Sequence, residues 1–171
     1  MSSRWQFIPL EKKHNRKDFD CGNESLNNYL RRYARQNDKS GINKVFVATK
    51  ADTPTVIDGY YTISSSIIDF ASVPEDIKKK LPAYPIPAAL IGRLAVDSFC
   101  QGEGLGSELL VDALLRIVRA SSEIGIYAVR VDAINEGAKQ FYLKHEFIPF
   151  EDAPLSLFMP LKTIRAEFEN P

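Results

Sequence analysis

The chain has 171 residues, 44% of them apolar and 26% charged, with 22 Lys/Arg balanced by 22 Asp/Glu. Those figures suit a single soluble domain, residues 1–171, with a full core, and no apolar run approaches the roughly 20 residues of a membrane span. A zero net charge lends no support to polyanion binding, yet the distribution is uneven: Glu11–Lys50 holds ten Lys/Arg against five Asp/Glu.

The opening MSSRWQFIPLEKK lacks the apolar centre of a secretory signal. Two cysteines, Cys21 and Cys100, make no disulfide framework. A cytoplasmic protein with reduced thiols is expected. Trp5–Leu10 reads as a first strand. Asn23 then caps a helix with Glu24 in its first turn. Leu26, Tyr29, Leu30, Tyr33 and Ala34 recur at helical spacing and predict one apolar stripe, while Arg31, Arg32 and Arg35 fall on or near the other face. Gly41 ends this region.

Lys44–Thr49 and Val56–Ile68 are β-branched and aromatic, and Asp52 and Pro54 between them predict an antiparallel hairpin. Phe70–Pro87 carries four prolines and the run Lys78-Lys79-Lys80, a long loop with a short helical turn around 75–81. Next comes IGRLAVDSFCQGEGLGSELLVDALLRIVRA at 91–120: strand, polar turn, glycine-rich bend, helix. Leu105, Leu109, Leu110, Ala113, Leu114, Ile117 and Val118 form that helix's apolar face, and Gly125 is expected to end it. Ile126–Ala133 reads as a central strand, Asn135 as the cap of a helix through Lys144, and Phe147–Phe150 and Leu155–Leu161 as the last strands. This order predicts an α/β fold with a mixed sheet and flanking helices.

The bend Gln101-Gly102-Glu103-Gly104-Leu105-Gly106 carries the first chemistry. Glycines let backbone N–H groups approach an anion, and the helix directs its positive end to the same place, so the pattern predicts a pyrophosphate cradle. No Lys-Ser/Thr follows the last glycine, which argues against a P-loop, and the loop lies past mid-chain, unlike a Rossmann loop.

The spacing Gln101-x-x-Gly104-x-Gly106 after an apolar strand resembles the acetyl-CoA signature of GNAT N-acetyltransferases. Phe19-Asp20-Cys21-Gly22, Gly59–Ser64, Gly92–Asp97, the glycine loop and Phe141-Tyr142 together resemble one subfamily, the TacT/AtaT-like toxins of type II toxin–antitoxin pairs. One departure is Lys144-His145-Glu146-Phe147, where that family usually has Gly before Phe. The resemblance implies a GNAT fold, a mixed, mostly antiparallel sheet with a splayed strand pair at the cofactor site. It also implies acetyl transfer from acetyl-CoA to the amino group of the amino acid on charged tRNA, blocking translation, with no metal. Implied partners are the aminoacyl-tRNA, a ribbon-helix-helix antitoxin and a second copy in a homodimer, for which Leu155, Leu157 and Phe158 offer apolar surface.

On that resemblance, Gln101, Gly102, Glu103, Gly104, Leu105, Gly106 and Ser107 hold the pyrophosphate, and Leu94, Ala95 and Val96 present a strand edge to the pantetheine arm. Asn135, Ala138 and Phe141 line the arm. Tyr142 is the candidate general acid, since a phenol can protonate a departing thiolate. An α-amino group, with a pKa about 2.5 below that of lysine, needs no strong base, and Asp97 is expected to brace its turn. Arg93, Arg31, Arg32, Arg35, Lys78, Lys79 and Lys80, with Arg16 and Lys17, are the candidate acceptor contacts. His14 and His145 are assigned no role. Cys100 reads as a buried structural thiol. The rivals are a GNAT enzyme for a small amine or protein amino group, and a non-catalytic acyl-CoA-binding module.

Overall fold

The computed structural model describes residues 3–169. The first two and last two residues of the expected 1–171 domain lie outside it. Fifteen elements are formed in the order β1 (Gln6–Pro9), α1 (Glu24–Arg32), α2 (Ala34–Ser40), β2 (Lys44–Thr49), β3 (Gly59–Ile68), a 3-10 turn (Phe70–Ser72), α3 (Glu75–Lys78), β4 (Ile86–Val96), a second 3-10 turn (Ser98–Cys100), α4 (Leu105–Ala120), β5 (Ala128–Asp132), α5 (Glu136–Lys144), β6 (Ile148–Pro149), β7 (Ser156–Pro160) and α6 (Leu161–Glu169). The seven strands follow the order β1-β2-β3-β4-β5-β7-β6. The chain divides into two compact units, one running to Ser64 with Gly92–Ala113 added, the other Ser65–Ile91 with the chain from Leu114 onward.

In the first unit β1 pairs antiparallel with β2, Gln6 opposite Thr49, and β2 with β3, Lys44 opposite Ile63. Alternation in KVFVAT buries Val45 and Val47 against Leu30 and Ala34 of the helices. Phe19, Tyr60 and Ala95 complete that core. Asn23 caps α1 as expected, accepting from Leu26 N at 3.1 Å. The stripe does not continue through Tyr33, which is 51% exposed and separates α1 from α2. Its ring stacks on Tyr29 instead, at 6.3 Å. The predicted second hairpin strand begins at Gly59, three residues late, because Val56 pairs with Asn15 in an isolated bridge.

Gly59 has a packing reason. A Cβ there would lie 2.8 Å from Leu109 Cδ1 and 3.0 Å from the Ala95 carbonyl. Only glycine lets α4 settle this close to the sheet.

In the second unit β4 and β5 run parallel, Ala88 opposite Ala128 to Ile91 opposite Val131. The connection between them carries α4, since a parallel pair requires a crossover. β4 starts at Ile86, inside the stretch read as loop, and its last residues, Gly92–Val96, continue past the register with β5. β7 lies between β5 and β6 and pairs antiparallel with both. That placement fully buries Leu157 and Phe158, so of the apolar trio read as a dimer surface only Leu155 is exposed. α4 ends at Ala120, five residues before Gly125, through carbonyls taken by Ser121, Ser122 and Glu123 N–H groups. α6 replaces the end of the predicted last strand. It starts directly after Pro160 and buries Leu161 and Ile164 at i, i+3.

Candidate active site

The glycine bend is built by its two flanks. Asp97 follows β4 and caps the 3-10 turn, accepting from Phe99 N at 3.0 Å. Gln101 then reaches back, and its Nε2 donates to the carbonyls of Val96 and Cys21, each at 3.0 Å. Gly102 and Gly104 have φ of 80° and 87°, the left-handed region that side chains disfavour, and a Cβ on either would meet nothing within 4 Å. Their requirement is therefore conformational, and the space over them is open. Leu105 opens the 16-residue α4 and buries its side chain, anchoring the helix whose first turn leaves N–H groups without intrahelical acceptors. Glu103, an acid inside an anion cradle, is paired by Arg4 at 2.7 Å.

A strap from the N-terminal segment clamps this bend, and sequence reasoning did not find it. Asp20 N donates to Asp97 Oδ2 at 3.1 Å, and Ser98 N and Oγ both donate to the Asp20 carbonyl at 2.9 Å. Asp20 Oδ1 accepts from Gly22 N and Asn27 Nδ2, which hold its carboxyl below the usual carboxylate range. Asn27, buried in α1, returns a bond from Cys21 N. The one local signal was Asp20-x-Gly22, an Asx-type turn. Asp97 thus braces the turn, and Gln101 braces the loop.

Cys100 is buried, and Arg93 is engaged by a ring of the fold. Burial pushes the Cys100 thiol up to about 11, so it stays protonated. Arg93 does not project alone: its guanidinium carbon sits 3.5 Å from the centre of the Tyr29 ring. The Tyr29 hydroxyl in turn accepts from Asn37 and Asn43. Leu94 and Val96 are half-buried and Ala95 is core.

In the second unit Asn135 caps α5, its Oδ1 accepting from Ala138 N at 2.9 Å. Tyr142 is 5% exposed, edge-on to Phe141 at 5.2 Å and to Phe147 at 5.6 Å. Desolvation first, and then the negative charge of Asp132, raise its phenol well above the ordinary value, so it carries its proton at every physiological pH. Phe141 is half-buried against Tyr142 and His145. α5 ends in a Schellman motif, with Phe147 N to Tyr142 O and Glu146 N to Leu143 O. Glu146 occupies its left-handed position with φ 69°, where the resembling family has glycine.

The basic residues scatter. Arg31 is committed to the N-terminal segment: Nε donates to Lys17 O and Nη2 to Phe19 O. It meets Arg16, whose Nη1 donates to Arg31 O. Arg32 is exposed, and burial first, then the nearby Arg35 charge, lower the pKa of Arg16. Lys78 pairs with Glu75 at 3.2 Å, and Lys79 and Lys80 are exposed in the second unit. Among the described residues no group of three His, Cys, Asp or Glu side chains is placed to hold a metal, and no helix is long and apolar enough to cross a membrane.

Residues 73–147 match the Acetyltransferase (GNAT) family. The chain is 36% identical over 148 residues to the "tRNA-acetylating toxin" of Mycobacterium tuberculosis, covering 86% of this chain and 87% of that protein. A crystal structure of a mutant KacT superposes with a TM-score of 0.92 at 31% identity, covering 97% of this chain and 100% of that one. AtaT complexed with acetyl-methionyl-tRNAfMet gives 0.89 at 31%, over 96% and 99%. A mutant AtaT toxin bound to the C-terminus of the antitoxin AtaR and acetyl-CoA gives 0.83 at 29%, over 97% and 99%. The chain belongs to the GNAT acetyltransferase family and, within it, to the branch of tRNA-acetylating toxins. It is an acetyltransferase whose co-substrate is acetyl-CoA.

Proposed function

We propose that this chain is a toxin that moves the acetyl group of acetyl-CoA onto the amino group of the amino acid on charged tRNA and so stops translation. The observation that carries this is full-length similarity, at 31% identity, to AtaT seen with acetyl-methionyl-tRNAfMet. The open, left-handed glycine cradle at the start of α4 fits the donor, because backbone N–H groups and a helix end there face an anion with no side chain in the way.

When bound, acetyl-CoA supplies an activated acyl thioester. Gly102, Gly104, Leu105, Gly106 and Ser107 hold the pyrophosphate by backbone N–H groups, with Gln101 fixing the loop's shape and Arg4 drawing off the Glu103 charge. Leu94–Val96, past the register with β5, offer backbone groups to the pantetheine arm. Asn135, Ala138 and Phe141 flank that arm. Tyr142 holds a proton on its phenol for the leaving thiolate. A phenol with so raised a pKa yields that proton only as another reaches it, so Tyr142 acts as a relay for the proton the amine must lose. Residues 1–171 act as a single acetyltransferase domain. The reaction belongs in the cytoplasm, where charged tRNA is used. A ribbon-helix-helix antitoxin neutralises the toxin, and the active form is a homodimer.

The test is a cell-free translation reaction with purified protein and acetyl-CoA. Synthesis should stop, and the aminoacyl group recovered from tRNA should be N-acetylated. Unchanged synthesis, with acetyl transfer to a free amine or a protein, would replace this reading with the small-amine alternative. Acetyl-CoA binding with no transfer to any amine would leave only a binding module.

A further inference from the structure

His14, Asn15, Arg16, Lys17 and Arg31 line an open cleft of about 410 Å³ in the first unit. Three cations face it, and a fourth, Arg35, lies close enough to act on Arg16. Four carboxylates lie nearby: Asp18 accepts from Asn15 Nδ2 at 2.7 Å, Glu11 pairs with Lys13, Glu24 pairs with Arg31 at 3.5 Å from a side chain 80% exposed, and Asp20, bonded by Gly22 and Asn27, lies within reach of the Arg31 charge. Asn15 Oδ1 accepts from Lys17 N and Asp18 N, so its side chain serves to turn the loop that carries Arg16 and Lys17. Arg16 and Arg31 are held in place by each other's neighbourhood, through Arg31 O, Lys17 O and Phe19 O.

His14 supplies the second observation. It is 3% exposed, and its Nδ1 accepts from Glu11 N at 2.9 Å, which puts the proton of the neutral ring on Nε2. Nε2 has no hydrogen-bond partner, a buried donor beside a cationic cleft and without an acceptor.

We propose that this cleft is an anion site for a backbone phosphate of the tRNA acceptor, with Arg16 and Lys17 as its charged contacts and His14 Nε2, covered in the free protein, as a neutral donor that the phosphate reaches once the cleft side chains shift. The proposal rests on the acceptor inferred above. A phosphodiester fits better than the carboxylate of an acidic peptide for two reasons. Its tetrahedral oxygens accept from several directions, as donors on two guanidiniums, an ammonium and an imidazole would meet them, whereas a carboxylate is matched by one planar guanidinium. The lining also contains no aliphatic or large apolar side chain to anchor a peptide.

The test compares the full-length wild type with Arg16→Gln/Lys17→Gln and with His14→Gln. Deacylated tRNA is the binding probe, followed by fluorescence anisotropy across a salt series, with acetyl-CoA affinity measured by calorimetry. The double variant should bind tRNA roughly tenfold more weakly, with a salt slope shallower by about one. His14→Gln should weaken binding about threefold with its slope unchanged, since no charge is lost. The KM for charged tRNA should rise in proportion, while kcat and acetyl-CoA affinity stay within about twofold. If the double variant fails to fold, Lys17→Gln alone, which removes an exposed ammonium, should still give about a threefold loss. Unchanged tRNA affinity and slope in a folded variant overturns the proposal. So does a loss confined to acetyl-CoA, or one confined to a polyglutamate peptide. A wild type that acetylates charged tRNA with indifferent variants defeats the cleft alone. One that binds tRNA through the cleft but never acetylates it defeats the proposed reaction alone.

Discussion

Gln101 offers the sharpest test of how the donor loop is held. Its Nε2 makes two bonds, to the Val96 and Cys21 carbonyls, each 3.0 Å long. Gln101→Ala removes both. A neutral hydrogen bond is worth about 0.5–1.5 kcal/mol net, and an exposed side chain puts these at the low end, so the loss is about 1–2 kcal/mol. If the loop takes its binding shape only when pinned, that is about 5–30-fold in acetyl-CoA affinity. Gln101→Glu keeps the size but aims a carboxylate oxygen at two carbonyl oxygens, so it should be worse than alanine at neutral pH. The repulsion raises the new carboxyl's pKa, and as pH falls through that value the protonated acid again donates one bond. Acetyl-CoA affinity of Gln101→Glu should therefore recover partly on acidification, whereas that of Gln101→Ala should not. Calorimetry with acetyl-CoA from pH 5 to pH 8, beside kcat by thiol release, reads both effects. Equal affinities for wild type and Gln101→Ala, or a glutamate variant no worse than alanine, would refute the pinning argument.

Three more outcomes follow from packing and proton state. Tyr142→Phe should lower kcat by about 10²–10⁴ with acetyl-CoA affinity intact, and because burial raises the wild-type phenol, the wild-type rate should show no alkaline fall assignable to tyrosine as pH approaches its ordinary value near 10. Steady-state rates across pH 6–10 check both. Glu146→Gly removes a left-handed strain of about 1–2 kcal/mol and adds back about 0.5–1 kcal/mol of unfolded-chain freedom. It should raise the melting temperature by about 1–3 °C, and calorimetry showing a lower one would contradict the strain. Gly59→Ala should cost about 1–2 kcal/mol, overpacking against Leu109 and Ala95 less the entropy gained, and drop the melting temperature by about 2–6 °C.

Elements with a local cause were legible in the chain. Asn23 and Asn135 cap because a side-chain oxygen beside a helix start needs only the next three residues. The glycine bend was legible for the same reason, as was the place where Gly is missing at Glu146. What sequence reading missed has causes far along the chain. Tyr33 sits on the predicted stripe yet leaves the core, because stacking on Tyr29 is available and the helix breaks there. Arg93 on β4 stacks on Tyr29 of α1, a contact no local pattern shows. β7 becomes interior once β6 covers its far side, which turns expected surface into core. His14 was assigned no role, and neither its burial nor the bond of its N–H to the Glu11 carbonyl is visible in the sequence pattern.

The Phe19–Gly22 strap gives a physical reason for that motif to accompany the glycine loop. Arg31 grips the Phe19 carbonyl; one residue on, Asp20 bonds Asp97 and Ser98; one more, Cys21 accepts from Gln101. Three successive residues therefore join the basic cleft at one end to the donor loop at the other, across 80 positions of sequence. Hydrogen bonds through consecutive backbone groups transmit displacement poorly absorbed by side-chain rotation, since the peptide planes are rigid. Asp20→Ala keeps the backbone bonds to Asp97 and Ser98 but frees Gly22 N and Asn27 Nδ2 from Oδ1, so the turn that shapes the strap slackens and acetyl-CoA binding should loosen. The loosening should exceed that of Arg32→Ala, which leaves the strap whole. Equal acetyl-CoA affinities for the two variants would mean that the loop keeps its shape from Gln101 and α4 alone.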